Sequence, residues 1–202
     1  MARITGYLLN MLPYMLCALP VVLVVRFFRC RTLRTRGLAT GFAHEAGLVL
    51  FMLFLVGLLS QTALPKLEFG VGGPGIVPTS GGDSNLIPGR IFADCLRELS
   101  RGNWTWPLIN LLGNLCIFLP VGLFPPLLWR GMTFRRCALL GFCCSLLIEL
   151  LQLPQARMAD IDDLWLNTLG AVLGFLLYAL LRRCTPRFCA GFRLSAQKKN
   201  TP

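Results

Sequence analysis

Charge, and acid above all, is what this chain has little of. Nine of its 202 residues are aspartate or glutamate, one is histidine, and only 14% carry any charge. So few charges exclude an ordinary soluble domain, in which about a quarter of residues are charged. With 55% hydrophobic residues and a mean hydropathy of +0.64, the composition is that of an integral membrane protein. A net charge of +11 would suggest nucleic acid in a soluble chain. Here the basic residues sit between apolar runs and have no recognition fold or aromatic platform around them. Nucleic-acid binding is therefore set aside.

A disulfide framework is also missing. Of the nine cysteines, Cys17, Cys116, Cys143 and Cys144 fall inside apolar runs, and Cys30, Cys137, Cys184 and Cys189 lie beside arginines. Only Cys95 lies in the long central loop, so free thiols are expected. Cys184 and Cys189 lack zinc spacing, and the single histidine, His44, is not near them. No internal repeat marks an inverted-repeat transporter, and no separate soluble domain stands out.

What the chain does have is five apolar runs: Gly6 to Phe28, Gly41 to Leu64, Pro107 to Trp129, Cys137 to Leu153 and Leu164 to Leu181. At about 1.5 Å per residue, runs of this length are suited to a hydrocarbon core of about 30 Å. The first has its arginines after the apolar stretch rather than before it, which reads as an uncleaved span and not a signal peptide. Pro13 and Pro20 should kink it. Pro120, Pro125 and Pro126 imply that the third is kinked or broken. His44 and Glu45, near the start of the second, read as residues snorkelling to the interface.

Between the second and third runs lies a long loop, Pro65 to Trp106. Gly70 to Gly89 has no periodicity and reads as irregular. Ile91 to Leu99 places Ile91, Cys95, Leu96 and Leu99 on one face and Asp94, Arg97 and Glu98 on the other. This spacing predicts a short amphipathic helix on the membrane surface. Trp104 and Trp106 fit an interfacial aromatic belt.

Charge sets the orientation. Five spans with the N-terminus outside put fourteen of the twenty lysines and arginines inside. The positive-inside rule therefore predicts an all-α polytopic bundle of about five spans, N-out and C-in. Three segments follow: a first span with a basic cytoplasmic loop over 1–40, a four-span unit with its outer loop over 41–181, and a basic cytoplasmic tail over 182–202.

On this topology three spans aim polar groups at the outer leaflet. Asn110 and Asn114 share a face of the third span, Glu149 and Gln152 close the fourth, and Asp160, Asp162, Asp163 and Asn167 open the fifth. Some of these have plain structural readings. Asp160 suits a helix cap, and the asparagines suit hydrogen bonds between helices. Glu149 lies a turn inside a helix end, where a carboxylate is costly without a partner, and Arg157 is its expected counter-ion. Gly170 and Gly174 continue the Asn167 stripe as a G-x-x-x-G, which lets a neighbouring helix approach closely. Carboxylates and amides facing outward can hold a metal ion, sugar hydroxyls or the headgroup of a lipid-linked precursor. No nucleophile–base pair stands out, and no cofactor or metal is assigned.

These residues carry a resemblance. N-L-I-P at 85–88, N-L-L-G-N-L-C-I-F-L-P-V-G at 110–122, S-L-L-I-E-L-L-Q at 145–152, arginine at 157 and D-I-D-D-L-W-L-N-T-L-G-A-V-L-G at 160–174 look like the VanZ-like family of bacterial membrane proteins. The match runs over about residues 45 to 181. The family's recurring polar positions would correspond to Asn85, Asn110, Asn114, Glu149, Gln152, Arg157, Asp160, Asp163 and Asn167. Gly89 stands where the family usually has a bulky residue. The resemblance implies a bacterial plasma-membrane protein and points to lowered susceptibility to the lipoglycopeptide teicoplanin. The expected partners are the lipid bilayer and a lipoglycopeptide or lipid-linked envelope precursor. An enzyme using Glu149 as base or metal ligand is the alternative, and a purely structural or transport role is a third.

Overall fold

In a computed structural model, which describes residues 2–62, 67–70, 73–76, 85, 87–152 and 160–196, the apolar runs are helices. The elements are α1 (Ala2–Thr35), β1 (Leu38–Ala39), α2 (Phe42–Thr62), β2 (Leu67–Gly70), β3 (Gly73–Ile76), α3 (Arg90–Ser100), α4 (Thr105–Leu128), α5 (Phe134–Gln152), α6 (Ile161–Cys184), α7 (Pro186–Gly191) and β4 (Ser195–Ala196). Stretches of α1, α2, α4 and α6 are long and apolar enough to cross a membrane. At 19 residues, α5 is shorter and carries Arg135, Arg136 and Glu149.

Burial along α6 shows the logic of a bundle that sits in lipid. Leu169, Leu173, Leu176 and Leu180 form an exposed stripe, while Asn167, Gly170, Ala171, Gly174 and Tyr178 are buried. Between apolar lipid and apolar leucine there is nothing to gain by burial, so small and polar residues take the helix interface. The helices α4 and α6 meet most closely. A Cβ on Gly170 would lie 2.5 Å from the Leu115 carbonyl oxygen, and one on Gly174 would collide with that of Leu119. Across the seam, a Cβ on Gly122 would collide with the backbone of Ala171, and one on Gly141 of α5 with the Ala171 side chain. Ala171 is thus fully enclosed between two helices. Leu58, Phe118, Val121 and Ile148 complete the packing of α2, α4 and α5 at this level.

Three expectations change. Helix α4 is continuous through Pro120, Pro125 and Pro126 rather than broken there. Pro125 and Pro126 are buried in its last turn, where Trp129 N still donates to the Pro125 carbonyl. Neighbouring helices hold such a helix together. Within Gly70 to Gly89, read as irregular, β3 pairs antiparallel with β2 just before it, Leu67 with Ile76 and Gly70 with Gly73. His44 and Glu45 do not snorkel. His44 is 2% exposed, and its Nδ1 donates to the Phe192 carbonyl at 2.6 Å. Glu45 accepts two bonds from Arg26, at 2.9 and 2.8 Å.

The elements collect at two ends of different character. At one, β1 pairs with β4, and Leu48, Phe51 and Leu128 pack with Phe192. The C-terminal ends of α1, α4 and α6 and the start of α2 meet here, with arginines at the ends of α1 and α6. The polar ends of α4, α5 and α6 lie at the other, beneath α3.

Candidate functional site

The polar end is built around the start of α6. A helix begins with backbone N–H groups that no helical carbonyl reaches, and here other residues take them. Asp160 is the N-cap, its Oδ1 accepting from Asp162 N at 2.9 Å. Ile161 N donates to the Asn85 carbonyl at 3.0 Å, and Asp160 N donates to Glu149 Oε2 at 3.1 Å. Asn85 Nδ2 donates to Asp160 Oδ1 at 2.8 Å. Segments far apart in the chain therefore meet on one helix terminus.

Asp162 ties in α3. Its carboxylate is fully buried. Oδ1 accepts from Gly89 N at 2.7 Å and from Trp165 Nε1 at 2.9 Å; Oδ2 accepts from Ile91 N at 2.8 Å and from Asn85 Nδ2 at 3.4 Å. Gly89 precedes α3 with φ +84° and has no side chain with which to cap it. Asp162 serves instead, as an acceptor brought from another helix to an N-terminus that favours negative charge. A left-handed φ suits glycine, which accounts for Gly89 at a place where the resemblance expects bulk. Ile91 and Cys95 of α3 then pack against Leu166, with Trp106, Leu111 and Trp165 around them. Phe92 stacks on Trp165, ring centroids 5.5 Å apart. The amphipathic helix is clamped to the bundle by one face, and its Leu96 remains exposed.

One turn deeper, α4, α5 and α6 face one another. Asn114 Nδ2 donates to Asp163 Oδ1 in a short hydrogen bond. Asn167 Nδ2 donates to Ser145 Oγ at 2.9 Å, and Ser145 Oγ lies 3.5 Å from the Asp163 carbonyl. Asn167 Oδ1 is buried without a hydrogen-bond partner among the described residues. Most buried polar atoms are paired, so an orphan acceptor of this kind calls for a donor.

The structure thus brings together Asn85, Asn114, Glu149, Asp160, Asp163 and Asn167. Asn110 turns back on its own helix, donating to the Trp106 carbonyl at 2.9 Å. Gln152 ends α5, half buried. Arg157, expected beside Glu149, lies outside the described residues. Ser145 was not singled out from sequence, and Asp162 was read only as one of the acids that open the fifth span, not as the anchor of α3. Trp165 three residues after Asp162, and Ser145 four residues before Glu149 in an otherwise apolar run, were the available signals. Among the described residues, no group of three or more histidines, cysteines or acids is placed to hold a metal ion. The arrangement offers carboxylate and amide oxygens to hydrogen-bond donors.

The family model described as VanZ/LLP1 matches residues 46–182. No curated protein and no solved structure matches the chain.

Proposed function

Since the chain belongs to the VanZ/LLP1 family and has the helices of a multi-pass membrane protein, we propose that its polar end is a binding site at the outer face of a bacterial plasma membrane. The ligand is a lipoglycopeptide such as teicoplanin or a lipid-linked envelope precursor, and binding lowers susceptibility to the drug. The observation that carries this reading is the convergence of Asn114, Glu149, Asp163 and Asn167 from three helices, with the buried Asn167 Oδ1 unpartnered among the described residues. Such groups suit ligands rich in hydroxyl and amide donors. The basic end takes the cytoplasmic side by the positive-inside rule, which gives five spans with α5 as the shortest.

The alternative is an enzyme that uses Glu149 as base or metal ligand. Glu149→Gln separates the two readings: an enzyme loses activity while still binding ligand, whereas a binding site loses affinity.

The test is susceptibility in a Gram-positive host lacking any VanZ-like protein. Strains would carry wild type, Glu149→Gln, Asp163→Asn or empty vector, with membrane levels matched by blot. Wild type should raise teicoplanin tolerance and leave vancomycin unchanged, and both variants should fail. A wild type indistinguishable from the vector would sink the drug reading and leave family membership standing.

A further inference from the structure

The basic end holds a cleft of ≈ 410 Å³ that no part of the polar site reaches. Leu48, Phe51, Leu55 and Trp129 supply an apolar wall, and Arg26, Arg29 and His44 also line the cleft. The polar groups are not equally available. Arg26 is held by Glu45 in a two-bond pair with 13% of its side chain exposed. The Phe192 carbonyl can only accept, so His44 Nδ1 carries the proton in that bond and Nε2 is the ring nitrogen left over. Arg29 is exposed and has no acidic partner among the described residues.

A free anion would satisfy Arg29 and leave the apolar wall unmet. An apolar molecule would cover the wall and leave the guanidinium unmatched. A molecule with an anionic head and an apolar chain meets both. We propose that this cleft binds an anionic glycerophospholipid, its phosphate on Arg29 and its upper acyl chain along Phe51 and Trp129. Basic pockets between spans recognise such headgroups by charge, and an interfacial tryptophan marks the depth. Arg26 lines the cleft but stays in its pair with Glu45.

The test uses the full chain in nanodiscs of phosphatidylcholine with a minor fraction of phosphatidylglycerol, one or the other lipid brominated on its acyl chain. Quenching at Trp129 is read as the difference between wild type and Trp129→Phe. At equal mole fraction, brominated phosphatidylglycerol should occupy the site with a preference of about fivefold, the worth of one cation at the interface. Arg29→Gln should remove the preference, and Arg29→Lys should keep most of it. Arg130→Gln takes away one charge at the same end but outside the cleft and should leave the preference intact. Equal quenching by the two lipids in wild type would overturn the proposal. So would an equal loss in Arg29→Gln and Arg130→Gln, because general surface charge would then be the cause. Relief of quenching by excess inorganic phosphate would make this a plain phosphate site and would also overturn the lipid assignment.

Discussion

At the scale of single residues, Asp162 carries more of the polar end than any residue at its rim. Its two oxygens accept four bonds, two from backbone N–H groups that start α3, one from an indole and one from Asn85. An asparagine there would keep one acceptor oxygen and turn an amide NH₂ toward two donors. Bonds to a charged group contribute about 1.5–3 kcal/mol each, and a buried donor left unmet adds to the loss. Asp162→Asn should therefore destabilise the protein by about 3 kcal/mol or more and free α3 from the bundle. The readouts are thermal melting in detergent and the emission of Trp165, whose ring stacks on Phe92. Asp94→Asn is the comparison. It removes only exposed pairs with Arg90 and Arg97, and should cost no more than about 1 kcal/mol. Equal losses in the two variants would mean that Asp162 does not anchor α3.

At the scale of elements, the contact of α4 with α6 sets the distance across which Asn114 meets Asp163. The glycines on both sides of this seam face backbone, which cannot swing away as a side chain can. A Cβ on Gly174 would strike the Leu119 carbonyl and the backbone at Gly122 and Leu123. Gly174→Ala should force the helices apart, at a cost of about 2–3 kcal/mol. Gly113→Ala, on the same helix as Leu119, has nothing within 4 Å. It should be neutral or stabilise by up to about 1 kcal/mol, the usual gain over glycine in a helix. Melting of the two variants side by side checks both signs. The G-x-x-x-G of α6 was legible because its period is local. So were the five long helices, since runs of apolar residues report length directly. The continuity of α4 was not, because the cost of a proline depends on what neighbouring helices supply. Nor was the clamp on α3, because Ile91 and Asp162 are separated by 71 positions and no periodicity links them. The spacing of Asn110 and Asn114 put both on one face, but a shared face does not name a partner, and only Asn114 reaches Asp163.

At the scale of the whole molecule, the two ends differ in the sign of their chemistry. The polar end gathers Glu149, Asp160, Asp162 and Asp163, and the basic end gathers the arginines of the second half of α1, those at the start of α5, and those at and beyond the end of α6. Basic segments are retained on the cytoplasmic side, so this asymmetry ties orientation to function. A site for an extracellular drug can work only if the acidic end faces out. Impermeant-maleimide labelling in intact cells separates the alternatives. Cys184 is exposed at the end of α6 and serves as the basic-end reporter in a variant with the other cysteines replaced. Asn103→Cys, in a background lacking all nine native cysteines, reports the exposed link before α4 at the polar end. The reporter at 103 should label in intact cells, and Cys184 only after lysis. The reverse pattern would place Glu149 and Asp163 in the cytoplasm and rule out direct binding of an external lipoglycopeptide there. The lipid cleft beside Arg29 would then face outward, where anionic headgroups are met in a different leaflet, and its preference for phosphatidylglycerol in nanodiscs would be unchanged.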